Sequence, residues 1–347
     1  MHAYGSCDRP PTISTSSSRS QTDLTELVSE WLQVNSTFEE RIFGGPKQVS
    51  GTFGIYSELC FPVSSGSTDD SIVQFLIHGG GFDHLYWDNA PGYSYVDYAA
   101  EQGYSTFNYD RLGTGLSDHP DPIQVTQTPL HIAIAHELIQ LLRNGGLADR
   151  AFKQIAGVGH SYGTAQILGI TIVAPKDFDA IVLTGTSADQ SGMLANHVGQ
   201  VQTIAALNEP LRFSNLSYGY ALPGAIEGLQ YAFFRAPAFD PQLLNLAESI
   251  KQPQGPGEVI GGFEIKPSEK FTGPLYVING ENDLRVCFGD CLKPSNKVAA
   301  VKDLLFPSAS NGSDWYLVPG TGHGINFHYT ANDAYEHIQA FLKANGF

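Results

Sequence analysis

Ser161 lies in the run Gly159-His160-Ser161-Tyr162-Gly163, a serine between two glycines with an apolar stretch before it and a helical pattern after it. Gly and Ser are ordinary turn residues, and a small loop between buried elements asks for nothing more. In a strand-turn-helix context, however, the spacing puts the serine on a strained turn whose neighbours must be small, and its hydroxyl is then presented to a ligand. A serine hydroxyl is a weak nucleophile at neutral pH. It needs a base to take its proton and an acid to orient that base. Asp283, a short turn beyond the apolar run ending at Gly280, is the chosen acid, on the side where open α/β sheets gather ligands; Glu281 is a live substitute and Asp189 a lesser one. His323, between Gly322 and Gly324 after the last apolar run, is the chosen base, because glycines let the loop bend back over the sheet. His328 competes, but in an aromatic stretch it reads as packed or pocket-lining. A lone histidine is usually structural; the order Ser, Asp, His, each at a strand end, singles out these three.

Acyl transfer at such a serine develops an oxyanion, which requires backbone donors nearby. His78-Gly79-Gly80-Gly81 ends another apolar run, and its glycines let amides approach a ligand. The hole is assigned to the amide of Tyr162 and one or both of Gly80 and Gly81. His84, Tyr86 and Trp87, just beyond, are candidates for a pocket wall or a polar contact. This chemistry calls for no metal and no organic cofactor.

A sheet has to position these residues. Short apolar runs at 72–78, 104–110, 154–160 and 180–185 alternate with helical patterns at 93–103, 128–146 and 161–173. The alternation resumes with 273–280, a helical stretch near 295–306, 314–320 and a closing helix over 331–346. Near-continuous apolar strands alternating with helices predict an α/β fold, a mostly parallel sheet covered on both faces. Between about 188 and 270 the pattern fails and Phe213, Tyr218, Tyr220, Tyr231, Phe233, Phe234 and Phe239 accumulate. That predicts an inserted cap whose aromatics wall an apolar pocket over Ser161, although each ring reads equally well as the insertion's own core. The expected division is a lead-in and helix over 1–49, a core of 50–187 and 271–347, and a cap of 188–270. Residues 1–23 read as flexible, 24–34 as a helix, and 50–63 as an outer strand.

The chain has 19 Lys plus Arg against 35 Asp plus Glu, a formal charge of −16, which repels nucleic acid and anionic membrane surfaces. No apolar run reaches the roughly 20 residues that span a bilayer. The first 23 residues lack the apolar centre of a secretory signal, so the chain stays inside or its leader has been removed. Cys7, Cys60, Cys287 and Cys291 permit two disulfides, and Cys287 to Cys291 could close a small loop. With the sequons at Asn35, Asn215 and Asn311, the cysteines favour secretion. The expected partner is a small molecule, and the acidic α/β chain is expected to be a monomer.

The set "LIHGGGF", "YDRLGTGLSDHP", "GVGHSYGT", "GENDLRV" and "PGTGHGINFHY" resembles the α/β-hydrolase superfamily over roughly residues 50–346. More narrowly, "FDHLYWD" and the ending from "GENDLRVCFGDC" to "TGHGINFHY" resemble a group of fungal, often secreted, serine hydrolases of unsettled substrate. The resemblance implies an α/β-hydrolase fold with Ser161 as nucleophile, His323 as base and Asp283 as acid. It also suggests a Cys287–Cys291 bond steadying the acid-bearing loop, and a structural role for Asp110, Arg111 and Ser117. A serine nucleophile argues against haloalkane dehalogenases and epoxide hydrolases, which use aspartate. The resulting expectation is an esterase or lactonase acting on a medium-sized, fairly apolar substrate. The alternatives are carbon–carbon bond hydrolysis or non-hydrolytic acyl chemistry on the same residues, and a receptor-like binder on the same scaffold.

Overall fold

The apolar runs become seven strands of one sheet: β1 Ser57–Cys60, β2 Ile72–Ile77, β3 Ser105–Tyr109, β4 Gln154–His160, β5 Ala180–Thr184, β6 Leu275–Gly280 and β7 Asp314–Val318. The computed structural model describes residues 2–7, 11–13, 20–62, 71–147, 150–189, 191–260 and 265–347. The strand order is β7-β6-β5-β4-β2-β3-β1, parallel throughout except for β1, which runs antiparallel to β3 at the edge. This is the α/β-hydrolase fold, a mostly parallel sheet with helices on both faces.

Strand side chains alternate between faces, so each strand feeds two cores. Val73, Phe75, Ile77, Ile155, Ile181, Leu183, Leu275 and Val277 pack with helices Thr128–Arg143, Tyr162–Val173 and Ala300–Leu305. Ile72, Leu76, Ala156, Val158, Ala180, Val182, Tyr276 and Ile278 pack with helices Tyr95–Glu101 and Ala331–Ala344. Helix Tyr162–Val173 buries eight of its residues and shows no single apolar stripe, as expected of a helix enclosed on most sides.

The register is what builds the site. Ile77 pairs with Gly159, His160 with Thr184, Thr184 with Ile278 and Gly280 with Val318. The carboxyl ends of β2, β4, β5, β6 and β7 are therefore level, and the loops carrying residues 78–81, Ser161, Gly185, Asp283 and His323 all leave from one rim. Strand order reverses at β2, whose neighbours are β3 and β4, and such a switch point is where open sheets form their ligand crevice.

Three expectations change. The stretch 50–63 is not one strand: Val49–Gly54 pairs antiparallel with His2–Cys7, and only β1 joins the main sheet. The break is set from afar, because Asp118 accepts the Gly54 amide (2.6 Å) and donates its own amide to the Gly54 carbonyl (2.9 Å). Part of the lead-in, His2–Cys7, is thus a paired strand; residues 1, 8–10 and 14–19, and the Cys7 side chain, lie outside the described residues. The N-terminal helix spans Gln21–Trp31, capped by Ser20, and packs Leu24 and Val28 on Ile204, Ala206 and Ala221 of the insertion.

Between β5 and β6 the chain forms helices Met193–Gln200, Ala205–Asn208, Pro210–Phe213, Ile226–Phe233, Pro241–Ile250 and Pro256–Val259, with a two-stranded ribbon of Gln202–Ile204 and Ala221–Pro223. No helix among the described residues is long and apolar enough to cross a membrane.

Candidate active site

Ser161 follows β4 directly and has φ 51° and ψ −113°, a strained conformation for a residue with a side chain. The Ser161 amide donates to the Thr184 carbonyl at 2.8 Å, and the Thr164 hydroxyl and amide both donate to the Ser161 carbonyl. Both flanking glycines are required by close approach. A Cβ at Gly159 would lie 2.8 Å from the Gly163 carbonyl oxygen, and one at Gly163 would lie 2.2 Å from that of Ile77.

His323 Nε2 lies 2.8 Å from Ser161 Oγ, and its Nδ1 lies 2.7 Å from Asp283 Oδ2. Asp283 is fully buried, and its other oxygen accepts the Val286 amide at 3.1 Å as the cap of the short helix Leu284–Cys287. The structure brings Asp283 to His323, and neither alternative acid. Glu281 opens the loop, its amide bonded to the Val318 carbonyl, and Asp189 pairs with Lys297 at 2.8 Å. Cys287 and Cys291 are joined in a disulfide that closes the Asp283 loop, with the Cys291 amide donating to Glu281 and the Gly289 amide to Asp283.

The loop at 78–81 is anchored by buried groups. The Gly79 carbonyl accepts from Arg111 Nη2 (3.2 Å) and from His78 Nδ1 (2.9 Å), while His78 Nε2 accepts the Arg111 amide (3.1 Å). Burial, then the Arg111 charge, holds His78 well below the usual histidine range, consistent with a neutral ring that donates at one nitrogen and accepts at the other. Arg111 lies over the Tyr162 ring at 4.6 Å and pairs with buried Glu258 of the insertion. Gly79 itself abuts the nucleophile, for a Cβ there would be 3.1 Å from Ser161 Cβ. Asp110 accepts the His84 and Leu116 amides, and Ser117 Oγ donates to the Asp110 carbonyl, so these residues brace the neighbouring turn.

A cavity of about 390 Å³ opens at Ser161, lined by Tyr162, Leu168, Met193, Gln254, Glu258 and Arg285 among others. Gly80 and Gly81 are not among its walls; the Gln254 side chain packs over Gly80, where a Cβ would meet Nε2 at 2.1 Å.

All four residues expected at the pocket are placed elsewhere. Tyr86 and Trp87 are buried, Tyr86 stacked on His160 at 4.3 Å and Trp87 edge-on to Tyr95 at 5.4 Å, because large rings beside a sheet gain more from packing than from lining a wet cleft. His84 turns to Asp110, with Nδ1 2.6 Å from Oδ1. His328 braces the base: its Nε2 accepts the amides of Gly322 and Arg235, and its Nδ1 donates to the Gly324 carbonyl. Burial lowers its pKa to about 4, so the ring stays neutral and can keep accepting. The insertion's aromatics do not line the cavity either. Phe233 and Phe234 pack on Phe82 and Phe327 at 5.0 and 5.3 Å as core, whereas Tyr218 and Tyr231 are exposed.

Sequence reasoning missed Gln254, Glu258 and Arg285. Arg285 stood in "GENDLRV", two residues past the acid, and a cation there in so acidic a chain was the available signal. Gln254 and Glu258 reach the site only through the folding of the insertion.

Residues 75–337 match the family model of the alpha/beta hydrolase family. No curated protein matches the chain. Among solved structures, a thermophilic esterase from Thermogutta terrifontis superposes with a TM-score of 0.59 at 15% identity, covering 86% of this chain and 96% of that one. An enol-lactonase from Burkholderia xenovorans gives 0.55 at 15%, covering 84% and 97%. A putative non-heme bromoperoxidase from Mycobacterium tuberculosis gives 0.55 at 15%, also covering 84% and 97%. At such identities the likeness concerns the fold alone.

Proposed function

Because this chain belongs to the alpha/beta hydrolase family, we propose that it is a serine hydrolase that cleaves a carboxylic ester or lactone through an acyl-enzyme. The observation that carries this reading is the chain of contacts from Asp283 through His323 to Ser161, 2.7 and 2.8 Å, opening on one cavity. Asp283 holds His323 with its proton on Nδ1, leaving Nε2 free to accept the serine proton. Ser161 Oγ attacks the carbonyl, and the oxyanion rests on the amide of Tyr162, joined by that of Gly80 or Gly81 once the Gln254 side chain moves off Gly80. Tyr162 opens its helix and so has no carbonyl four residues back to bond. His323 then gives its proton to the leaving alcohol, which breaks the ester C–O bond, and deprotonates water to release the acid. Leu168, Met193 and Val286 offer the apolar part of the substrate a dry surface.

The reading extends to an oxidising compartment, which the Cys287–Cys291 disulfide and the exposure of the sequon residues Asn35, Asn215 and Asn311 support. The test is hydrolysis of p-nitrophenyl esters from acetate to decanoate, with labelling by a fluorophosphonate. Ser161→Ala is expected to lower kcat by about 10⁴-fold or more and to abolish labelling. Full activity in that variant would sink the scheme.

A further inference from the structure

Arg285 shares the cavity with Ser161 and follows Asp283 by two residues on helix Leu284–Cys287. Among the described residues its hydrogen bonding is a single contact, Nη1 to Asn196 Oδ1 at 2.9 Å, and it forms no ion pair. A guanidinium carries five N–H donors in a planar fork. Burial brings its pKa down to about 10, so it remains charged at neutral pH. Arg285 is partly rather than fully buried, and a charge partly withdrawn from water still gains from an anionic partner. Among the described residues no carboxylate around the cavity pairs directly with it: Glu258 pairs with Arg111, Asp283 binds His323 and the Val286 amide while its charge still favours the guanidinium at longer range, and Glu39 accepts from the Trp31 indole. The nearby imidazoles add no negative charge. Burial holds His160 and His197 below the usual histidine range, and the charge of Arg285 pushes both the same way.

Asn196 Oδ1 is itself shared with Gln200 Nε2 at 2.5 Å, so it is a weak counterpart for a full charge. The acid loop and its disulfide fix the Arg285 backbone relative to the triad, and Asn196 holds the guanidinium. The net charge of −16 does not oppose a local anion site, because surface carboxylates are screened beyond about 8 Å while a pair inside a cavity is not.

Resting on the serine hydrolase reading, we propose that Arg285 binds a carboxylate of the substrate remote from the scissile carbonyl, so that the substrate class is a carboxylated ester or lactone. This replaces the expectation of a fairly apolar substrate: Leu168, Met193 and Val286 receive the hydrocarbon body, and the fork of Arg285 receives its charged end.

The experiment compares two esters of equal acyl length, p-nitrophenyl hydrogen glutarate and p-nitrophenyl pentanoate, on wild type, Arg285→Lys and Arg285→Met. The wild type is expected to favour the charged ester in kcat/KM by about tenfold or more. Arg285→Met should lower that ratio by about 30-fold, mainly through KM of the charged ester, and Arg285→Lys should keep part of the preference. A wild-type ratio at or below one, or the same ratio in Arg285→Met, overturns the proposal. Should Arg285→Met fail to fold, the wild-type and Arg285→Lys ratios decide. Calorimetric titration with monomethyl glutarate separates the two readings. If no ester is turned over, the hydrolase reading has failed, yet binding to wild type that is lost in Arg285→Met supports the anion site, and no binding to wild type overturns it.

Discussion

At the residue scale the site depends on which carboxylate meets His323. Asp283 does so because it caps helix Leu284–Cys287 with one oxygen and leaves the other, 2.7 Å from Nδ1, to the imidazole. Replacing it with Asn should lower kcat by about 10⁴-fold, because an amide that donates its N–H no longer selects the tautomer with Nε2 free. Glu281→Gln and Asp189→Asn should stay within a few-fold of wild type, neither residue touching the imidazole. Steady-state kinetics on one ester checks all three variants, and a deep loss in Glu281→Gln with little in Asp283→Asn would reassign the acid. Strand-end position in the sequence favoured Asp283 but left Glu281 a live substitute and Asp189 a lesser one, and the family resemblance pointed to Asp283 as well. The hydrogen bond that separates neighbours two apart belongs to the folded loop.

At the element scale the acid loop is braced twice, by the Cys287–Cys291 disulfide and by the Cys291 and Gly289 amides bonded to the Glu281 and Asp283 carbonyls. A ring this small constrains the unfolded chain modestly, so removing both cysteines (Cys287→Ser with Cys291→Ser) should cost about 2 kcal/mol of stability. A kcat loss of about tenfold is expected beside it, since the Asp283 carboxylate rides on the same loop. Thermal melts and kinetics on the double variant, and on wild type under reductant, read the two effects separately; unchanged kcat with a lowered Tm would mean that backbone bonds alone hold the acid. Strands β2 to β6 were legible because each is a short apolar run buried on both faces. The stretch 50–63 was misread as one strand because its break comes from Asp118, more than sixty residues away, and no local pattern carries that information.

At the scale of the whole molecule, buried neutral histidines govern acid behaviour. Burial lowers the pKa of His78, His131 and His160, that of His197 to about 3 and that of His328 to about 4. In the unfolded chain each titrates near 6.5, so below that pH the unfolded state binds more protons and stability falls with falling pH. The contribution is complete above about 6.5, and for His328 it is lost progressively until the folded ring itself protonates near 4, about 3 kcal/mol in all. Asp83, pushed up to about 6 by burial and by Asp110, Asp177 and Glu258, raised by burial, and His84, which burial lowers but Asp110 raises further, act in the opposite direction, but they are four against six once His119, also lowered by burial, is included. The denaturant midpoint should therefore hold from pH 7.5 to about 6.5 and drop from there to 4.5, and a flat profile would contradict the neutral assignment. The sequence by itself determined the α/β alternation and the strand ends bearing Ser161, Asp283 and His323, because strand periodicity and glycine-flanked turns are local properties of the chain. It also held the two cysteines that close the acid loop within five residues. Only the tertiary structure decided that Tyr86, Trp87 and His328 are packing and bracing groups, that the insertion's aromatics are core, and that Arg285 faces the cavity unpaired. An apolar or basic residue near a site reads alike in sequence whether it forms a wall or a core, and its partners are fixed only when distant segments meet.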